Sequence, residues 1–306
     1  MDTNQLTAFI AVAETSSFSL AAERLHLTQP AISKRIAVLE QMIGSSLFDR
    51  IGKRVSLTEV GQILLPHAKK ILREMEDTKI AIQNLSVSVA GRFSLASSHH
   101  IGLHRLPPVL KQYSGLYPRV SIDISFLDSE QAYHQVAHGE IELAVVTLAP
   151  VEVNNIVSRP VWEDQLGIMT SRDHALTRLA DVKLADLLDY PAIMPAANTF
   201  TRQLVENIFK DHKIRLEVDM STNYLETIKM MVSVGMAWSI LPMTMLDASL
   251  AVLPVKDISL SRKLGYIHHR DHTLSNAARA FIEILDRSAI GDQEKMYRIN
   301  RIQRQD

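Results

Sequence analysis

The first 45 residues carry three short apolar stripes at helical spacing, separated by turns of only a few residues. The stripes are Leu6, Phe9, Ile10 and Ala13; then Phe18, Ala21, Ala22 and Leu25; then Ile32, Ile36, Leu39 and Ile43. Steps of three and four residues place the members of each stripe on one face of a helix. Three such faces in so short a segment predict three helices around one small core.

The junction between the second and third stripes favours a helix-turn-helix. Thr28 is placed to cap the third helix, and Pro30 falls in its first turn, where a missing N–H costs little. Two helices joined by so short a turn form this motif. The segment from Leu47 to Thr58 then alternates loosely around Gly52, which predicts a short two-stranded wing.

The face of the third helix opposite its apolar stripe is polar and suits contact with DNA. It carries Gln29, Pro30, Ser33 and Lys34. Glutamine can bridge an adenine edge, serine can reach a base or a phosphate, and lysine can contact guanine or the backbone. The alternative is a solvated helix face with ordinary surface charges.

Basic residues are concentrated in and after this helix. Between Lys34 and Arg54 five cations stand against two carboxylates, a local excess of +3, although the whole chain has a net charge of −1. That balance argues against a protein that coats nucleic acid generally, but not against a local site. Arg50, Lys53 and Arg54 in the wing could follow the DNA backbone or the minor groove.

A second long apolar pattern predicts a helix from about residue 59 to residue 90. Its members follow alternating steps of four and three residues: Leu64, Ala68, Ile71, Met75, Thr78, Ile82, Leu85 and Val89. This period is typical of a helix that pairs along one narrow seam, and the rest of its surface is charged. We therefore expect pairing with a second copy; the alternative is packing on its own domain.

After Gly91 the pattern changes to short apolar strands that alternate with helical stretches, which predicts an α/β architecture. The expected strands are 93–96, 120–126, 143–146, 166–169, 192–194, 215–220 and 238–241, and the expected helices are 106–116, 131–138, 202–209, 224–234 and 276–285. Asn223 with Glu226 three residues later resembles a capping box, and Gly235 a helix stop.

The N-terminal residues, read together, resemble the LysR-type transcriptional regulators. The similarity is carried by about the first 65 residues: Leu6, Phe9, Val12, Ala13, Glu14, Ser17, Phe18, Ala21, Ala22, Leu25, Thr28 to Ser33, Ile36, Leu39, Glu40, Gly44, Leu47, Phe48, Arg50, Arg54, Leu57, Thr58 and Gly61. Two residues depart from the family pattern: Ser16 stands where glycine is usual, and Arg35 where glutamine is frequent.

The resemblance implies an α/β protein of three parts. These are a winged helix-turn-helix over 1–58, a dimerising linker helix over 59–90 and an effector-binding domain over 91–306 that resembles periplasmic binding proteins. The first subdomain of the effector-binding domain would span about 91–161 and 265–290, and the second about 162–264. Carried over by position, the DNA contacts fall on Gln29, Pro30, Ser33, Lys34, Arg35, Arg50, Lys53 and Arg54.

The implied function is sequence-specific binding of double-stranded DNA, controlled by a small molecule held between the two subdomains. Dimers, and tetramers in the family, would place recognition helices in successive major grooves. The effector candidates lie where strands end and helices begin: Ser97, Ser98, His99 and His100; Asp128 and Ser129; Thr147; Thr199, Thr201 and Arg202; and Asn223. Hydroxyls, helix N–H groups and an arginine favour a small carboxylate-bearing metabolite, with local helix capping as the alternative for each hydroxyl.

Metal binding and catalysis are less favoured. Histidines cluster at 99, 100 and 104, at 134 and 138, and at 268, 269 and 272, but the chain has no cysteine and no His-Glu-x-x-His helix, and no carboxylate ligand is evident beside any cluster. We therefore predict no metal and no cofactor. The sequence has no phosphate-binding glycine loop and no nucleophile elbow, so we predict that the protein is not an enzyme. An architectural DNA binder is disfavoured by the acidic balance outside the basic segment.

The expected location is the cytoplasm. A chain without cysteine suits a reducing compartment. The N-terminus has no basic stretch ahead of a long apolar one, so no secretory signal is evident. The longest uncharged stretch, from Met230 to Leu246, is interrupted by polar residues and Pro242 and suits a buried helix and strand better than a membrane span.

Overall fold

The computed structural model describes residues 1–51, 54–86, 88–256 and 258–288, with the backbone alone at Arg50, Ile51 and Arg54. The chain divides into two compact units, Met1–Leu85 and Ser86–Asp306. Within the described residues no helix combines the length and apolar character needed to cross a lipid bilayer.

The N-terminal unit is a winged helix-turn-helix followed by a long helix. Its elements are α1 (Thr3–Thr15), α2 (Phe18–Arg24), α3 (Gln29–Ile43), β1 (Phe48–Ile51), β2 (Arg54–Leu57) and α4 (Glu59–Gln83). Side chains cap the N-termini of three of these helices. Asp2 accepts a hydrogen bond from the Gln5 N–H, Ser17 from the Leu20 N–H and Thr58 from the Gly61 N–H. Thr28 holds the cap position of α3 as predicted, but its side chain makes no capping hydrogen bond.

The three predicted stripes form one core. Leu6, Phe9, Ile32, Ile36 and Leu39 are almost completely buried in it. The wing joins the same core through Phe48, whose ring lies 5.4 Å from that of Phe9 and 5.7 Å from that of Phe18. A side chain at Gly61 would place its Cβ 2.3 Å from the carbonyl oxygen of Leu47, so the start of α4 packs closely against the wing.

Helix α4 is shorter than predicted. It ends at Gln83, with Asn84 as its C-terminal cap, and does not continue to residue 90. Val89 belongs instead to the next unit, where it packs against the core around Phe93. In the sequence, Val89 continues the apolar spacing of α4, but it is apolar because it packs in the core of the next unit.

The C-terminal unit is α/β. Its elements are β3 (Gly91–Ser97), α5 (His99–His104), α6 (Leu106–Leu116), β4 (Val120–Phe126), α7 (Ser129–Ala137), β5 (Leu143–Thr147), β6 (Ile156–Ser171), β7 (Ile193–Met194), α8 (Phe200–Asp211), β8 (Met220–Ser221), α9 (Leu225–Ser233), β9 (Ser239–Pro242), β10 (Leu250–Val252), β11 (Leu260–His269) and a helix over 276–288, here α10. Three short 3₁₀ helices lie between β6 and β10.

Most strands join one sheet, ordered β10-β6-β11-β5-β3-β4, with β9 also paired to β6. Strands β4, β3 and β5 are mutually parallel, whereas β11 is antiparallel to both β5 and β6. Alternate residues of β3 and β5 face two cores, because Phe93 and Leu143 enter one core and Ala96 and Ala144 the other. Helices α6 and α10 cover the first face, and α7 covers the second.

Strands β6 and β11 run from this first subdomain into a second one. Trp162 and Leu264 pack in the core with Phe93, whereas Leu166 and Leu260 pack in a separate core around Trp238 and helix α8. A further cluster places α9 against β9 in the second subdomain. The predicted passage between subdomains, near residues 162 and 264, thus falls inside two long paired strands.

Three local predictions differ from the structure. Residues 99–104 form helix α5, which was not among the predicted helices, and the strand predicted over 215–220 is reduced to β8 at Met220–Ser221. Asn223 does not cap α9, whose cap position is Tyr224. Asn223 instead bonds to residues of other elements, as described below.

Candidate functional site

The first candidate surface is the polar face of α3. Gln29, Pro30 and Lys34 are exposed, and Ser33 and Arg35 are partly exposed. Ile32, Ile36 and Leu39 on the opposite side are completely buried, which fixes the rotation of the helix. The Gln29 amide lies 3.5 Å from the Ser33 hydroxyl, so these two polar side chains form one patch.

The wing follows this helix directly. Strands β1 and β2 are antiparallel, with Arg50 opposite Val55 and Ile51 opposite Arg54. Lys53 lies outside the described residues. The Leu47 N–H donates to the Glu40 carboxylate at 2.7 Å, which ties the start of the wing to α3.

A carboxylate outside the predicted site pairs with cations on two other helices of this unit. Glu14 on α1 pairs with Lys69 of α4 at 2.5 Å and with Arg24 of α2 at 2.7 Å. Burial disfavours the charged carboxylate, but the hydrogen bonds and charges of Lys69 and Arg24 outweigh it and hold the pKa of Glu14 below its ordinary value. Helix α1, which carries Glu14, packs directly on α3.

The second candidate site lies where the two subdomains of the C-terminal unit face each other. The Asn223 amide donates to the Asp128 carboxylate at 2.7 Å, and its oxygen accepts from the Ala196 N–H at 2.9 Å. Asn223 therefore joins the start of α7 in the first subdomain to a loop of the second. Asp128 and Asn223, which are 95 residues apart in sequence, were both predicted as effector residues.

A second carboxylate lies at the N-terminus of α8. The Phe200 N–H donates to Glu130 at 2.6 Å. Burial, with a contribution from nearby Asp128, raises the pKa of Glu130, while the hydrogen bond from Phe200 acts in the opposite direction. The first turn of α8 thus contacts a carboxylate of the facing subdomain.

Arg262 of β11 is a centre of contacts that the sequence did not indicate. Its guanidinium contacts the Asp164 carboxylate of β6 at 2.9 Å and donates to the Thr201 hydroxyl at 2.7 Å. The Asp164 side chain is 1% exposed and that of Arg262 is 9% exposed. Both strands also carry other charged residues, such as Glu163 in β6 and Lys263 in β11, so no local pattern marked this pair.

Several predicted effector residues are engaged in local structure. The Ser97 hydroxyl donates to the Val145 carbonyl at 2.9 Å, and Ser129 accepts from the Thr147 N–H at 3.1 Å. Thr199 caps α8 by accepting from the Arg202 N–H at 3.3 Å, so local capping, the alternative considered for each hydroxyl, applies here. Ser98 occupies the cap position of α5 but makes no capping bond through its side chain.

Arg202 is oriented along its own helix. Its Nε donates to Glu206 at 2.8 Å, and an Nη lies 3.4 Å from the Pro195 carbonyl oxygen. Arg202 and Thr201 are both buried near the start of α8.

The histidines of α5 meet residues from α9. The His99 ring packs edge to face on Tyr224 at 5.4 Å. One helical turn apart, His100 and His104 both face the Glu226 carboxylate, which lies 3.0 Å from His104. The sequence argument that no carboxylate accompanies these histidines is therefore wrong for this cluster, because the partner is 122 residues away.

An N-terminal helix-turn-helix unit with an exposed helix face, followed along the chain by a two-subdomain α/β unit, defines a DNA-binding regulator that carries its own sensor domain. The comparisons with known proteins agree. Residues 3–62 match the family model of bacterial regulatory helix-turn-helix proteins of the lysR family, and residues 87–289 match the LysR substrate binding domain.

Similar proteins cover both units. The chain is 30% identical to the HTH-type transcriptional activator CmpR of Synechocystis over 92% of this chain and 94% of CmpR. It is 65% identical, over 35% of this chain and 75% of the relative, to an uncharacterized HTH-type transcriptional regulator of Azotobacter vinelandii. A full-length variant of OxyR from Pseudomonas aeruginosa has the same fold, with a TM-score of 0.67, 23% identity and 94% coverage of both chains.

The chain belongs to the LysR family of DNA-binding transcriptional regulators, with a helix-turn-helix domain and an effector-binding domain. Members of this family are regulators and not enzymes. The family resemblance and the predicted fold class are thereby confirmed.

Proposed function

We propose that the exposed face of α3 binds the major groove of an operator through Gln29, Pro30, Ser33, Lys34 and Arg35. The observation that carries this proposal is the rotation of α3, which buries Ile32, Ile36 and Leu39 and leaves polar residues outward. Gln29 and Ser33 would meet base edges, and Lys34 a base or the backbone. Arg50, Lys53 and Arg54 of the wing would contact flanking phosphates and position the protein on the duplex.

A charge introduced on this face tests the DNA contact. Ser33→Glu places an anion where we expect phosphate and base edges, so it should abolish binding to a duplex enriched from a random-sequence library by the unaltered protein. Gln41→Glu is the matched control, since it adds the same charge to an exposed residue about 12 Å further along the same helix. Equal binding by the Ser33→Glu and Gln41→Glu proteins in a gel-shift assay would overturn this placement.

The linker helix would pair two copies of the chain. Ile71, Met75 and Ile82 share one side of α4 and are 36%, 45% and 63% exposed. Large apolar side chains in a row at alternating four- and three-residue spacing are typical of a helix that pairs with another. Pairing would place two copies of α3 on successive major grooves, and two such dimers would form the tetramer proposed from the family.

The effector would bind between the two subdomains and carry a carboxylate. The contact between Glu130 and the first turn of α8 supports a carboxylate effector, because the Phe200 N–H at that helix N-terminus already donates to a carboxylate. Thr201 and buried Arg262 lie beside the same turn and could bind the same anion. The effector would replace direct contacts between the subdomains, such as Asn223 with Asp128, and would shift the protein toward one arrangement only if it prefers that arrangement.

A thermal-shift screen of the full chain tests the effector class. The probes are small carboxylic acids, each paired with its uncharged primary amide. Trp162 and Trp238 are the two tryptophans of the chain and both lie in the C-terminal unit, so their fluorescence follows that unit. An acid that binds should raise the melting temperature and change the DNA footprint, whereas its amide should not. Equal shifts with acid and amide would overturn the carboxylate assignment.

A further inference from the structure

Three metal-ligating groups converge between α5 and α9. The nearest nitrogens of His100 and His104 lie 3.7 Å and 3.0 Å from Oε1 of Glu226. Ligand atoms of the three residues all lie within 4.8 Å of one another, and the two imidazole rings are 4.6 Å apart. Among the described residues this is the one group of three or more His, Asp or Glu side chains that meets such a limit.

These groups are not satisfied by the protein alone. His100 is only 5% exposed, yet neither of its ring nitrogens has a hydrogen-bond partner among the described residues. Oε2 of Glu226 is likewise buried without a partner there. Buried polar atoms in folded proteins are nearly always hydrogen-bonded, so three such atoms at one place favour a bound group that the described residues do not supply.

Burial acts on both His100 and Glu226. Burial lowers the pKa of His100 to about 4; Arg262 and His104 act in the same direction, whereas the carboxylates of Asp164 and Glu226 act in the opposite one. Burial opposes the charge on Glu226, but hydrogen bonds from its own backbone and from His104 keep its pKa below the ordinary value. Metals bind histidine as the neutral imidazole and glutamate as the carboxylate.

A simple hydrogen bond between His104 and Glu226 explains less. It pairs one nitrogen with one oxygen and leaves both nitrogens of His100 and the second oxygen of Glu226 unpaired. Arg262 nearby opposes a cation, but it is paired with Asp164 at 2.9 Å, so the two charges largely offset each other. Three unpaired buried atoms at one place therefore favour a bound cation over this hydrogen bond alone.

We propose that His100, His104 and Glu226 bind a divalent transition-metal ion of the zinc type, which joins the two subdomains. At metal–ligand distances of about 2.0–2.1 Å, tetrahedral ligands lie about 3.4 Å apart, close to the separations found here. Two imidazoles and one carboxylate leave a fourth position for water or for a donor atom of a bound molecule.

The position of the site gives it a structural consequence. Ile101 of α5 packs in the core of the first subdomain, whereas Leu225 and Ile228 of α9 pack in the second. A metal held by ligands from both helices would fix the distance between the subdomains. Its occupancy would therefore favour the arrangement in which α5 and α9 are close.

Co²⁺ titration of the full chain, with any affinity tag removed and after chelator treatment and dialysis, tests the site. We expect one ion per chain, the intense visible absorption of tetrahedral Co²⁺, and its loss when Zn²⁺ displaces Co²⁺. Glu226→Gln and His104→Gln should each weaken Co²⁺ binding at least about tenfold. Both side chains are partly exposed, and tryptophan fluorescence melting verifies that each variant folds.

His134→Gln is the matched control. His134 and His138 are also one turn apart, with rings stacked at 4.0 Å, but no third ligand joins them within the same limit in the described part of the chain. Its Co²⁺ affinity should equal that of the unaltered protein. No tetrahedral absorption, unchanged affinity in Glu226→Gln, or equal loss in His134→Gln would each overturn the site.

The metal site and the carboxylate effector are tested separately. If no carboxylic acid stabilises the chain, the effector proposal fails while the Co²⁺ spectrum stands. If the spectrum is missing, the metal site fails while the paired acid and amide shifts stand.

Discussion

Arg262 and Asp164 are directly opposite each other in the antiparallel pair of β11 and β6, and their side chains form a buried ion pair with N–O distances of 2.9 Å. The pair lies where both strands run between the subdomains. A third partner, the Thr201 hydroxyl, connects it to α8.

Removal of one partner of this pair should destabilise the C-terminal unit strongly. Asp164→Ala leaves the Arg262 charge buried and uncompensated, with an expected loss of about 3–5 kcal/mol in the free energy of unfolding. Urea unfolding followed by tryptophan fluorescence measures the loss. The double variant Asp164→Leu with Arg262→Met should recover most of it, because no unpaired charge remains.

The exposed pair of Arg92 and Asp123 provides the control. It also joins neighbouring strands, β3 and β4, but both side chains are largely exposed. Asp123→Ala should therefore have little effect on the urea midpoint. If Asp164→Ala and Asp123→Ala lower the urea midpoint equally, burial does not determine how much the pair of Arg262 and Asp164 contributes to stability.

Ser16 is strained, and glycine should relieve the strain. Its φ of +50° lies in the left-handed region at the end of α1, a position that favours glycine. Ser16→Gly should raise the free energy of unfolding of the N-terminal unit by about 0.5–1 kcal/mol. Ser19→Gly, an identical exchange at an exposed helical residue of α2, should lower it by about 0.5–1 kcal/mol. In circular dichroism melts, a gain in stability for Ser16→Gly with a loss for Ser19→Gly would support strain at Ser16. A loss of stability in both variants would contradict it.

A charge in the seam of α4 should disrupt self-association. Ile82→Glu places a carboxylate at the proposed contact between two copies, where it would be desolvated, so the solution mass measured by light scattering should halve. Ala81→Glu adds the same charge to the neighbouring exposed residue, about 100° around the helix, and should leave the mass unchanged. An Ile82→Glu protein of unaltered mass would exclude this seam as the interface.

The contribution of Glu14 to stability should depend on pH. Its pKa is lower in the folded protein than its ordinary value of 4.5, so the unfolded chain binds the proton first. The stabilisation is therefore complete well above pH 4.5 and is lost as the pH falls through the lower, folded value. At neutral pH Glu14→Gln should cost about 1 kcal/mol or less, since ion pairs near the surface are screened.

Thermal melts of the Glu14→Gln protein at neutral and acid pH measure this dependence. The difference from the unaltered protein should shrink toward zero at low pH. Glu76→Gln is the control, because Glu76 pairs only with nearby Lys79 in the described structure and both side chains are 64% exposed. A pH-independent difference for Glu14→Gln would exclude its ionisation as the cause.

The N-terminal unit was predictable because its signals are local. The apolar stripes of α1, α2 and α3 and the turn at Thr28 to Pro30 each lie within a few residues, and the wing follows from the alternation around Gly52. The limits of α6 and β4 were also predicted to the residue, since each is an uninterrupted periodic pattern.

The rest depends on contacts between distant residues. Strands β6 and β11 were predicted only in part or not at all, because along their length they change from one core to another and lose a simple alternation. The side chains that Asn223, Arg262 and Glu226 contact lie in other elements, 61 to 126 residues away in sequence. No periodicity within a single segment indicates such neighbours.

The ten-residue register between β6 and β11 has a consequence for motion. Two single loops would let the subdomains turn freely, but two hydrogen-bonded strands must bend together as one ribbon. The register shifts at Leu264 and Gly265, where a side chain on Gly265 would place its Cβ 2.0 Å from the Arg159 carbonyl oxygen. This irregularity lies inside the core of the first subdomain, so flexure of the ribbon falls on the short stretch between Leu264 and Leu260, where a small angular change would swing the far end of the second subdomain through a much larger arc.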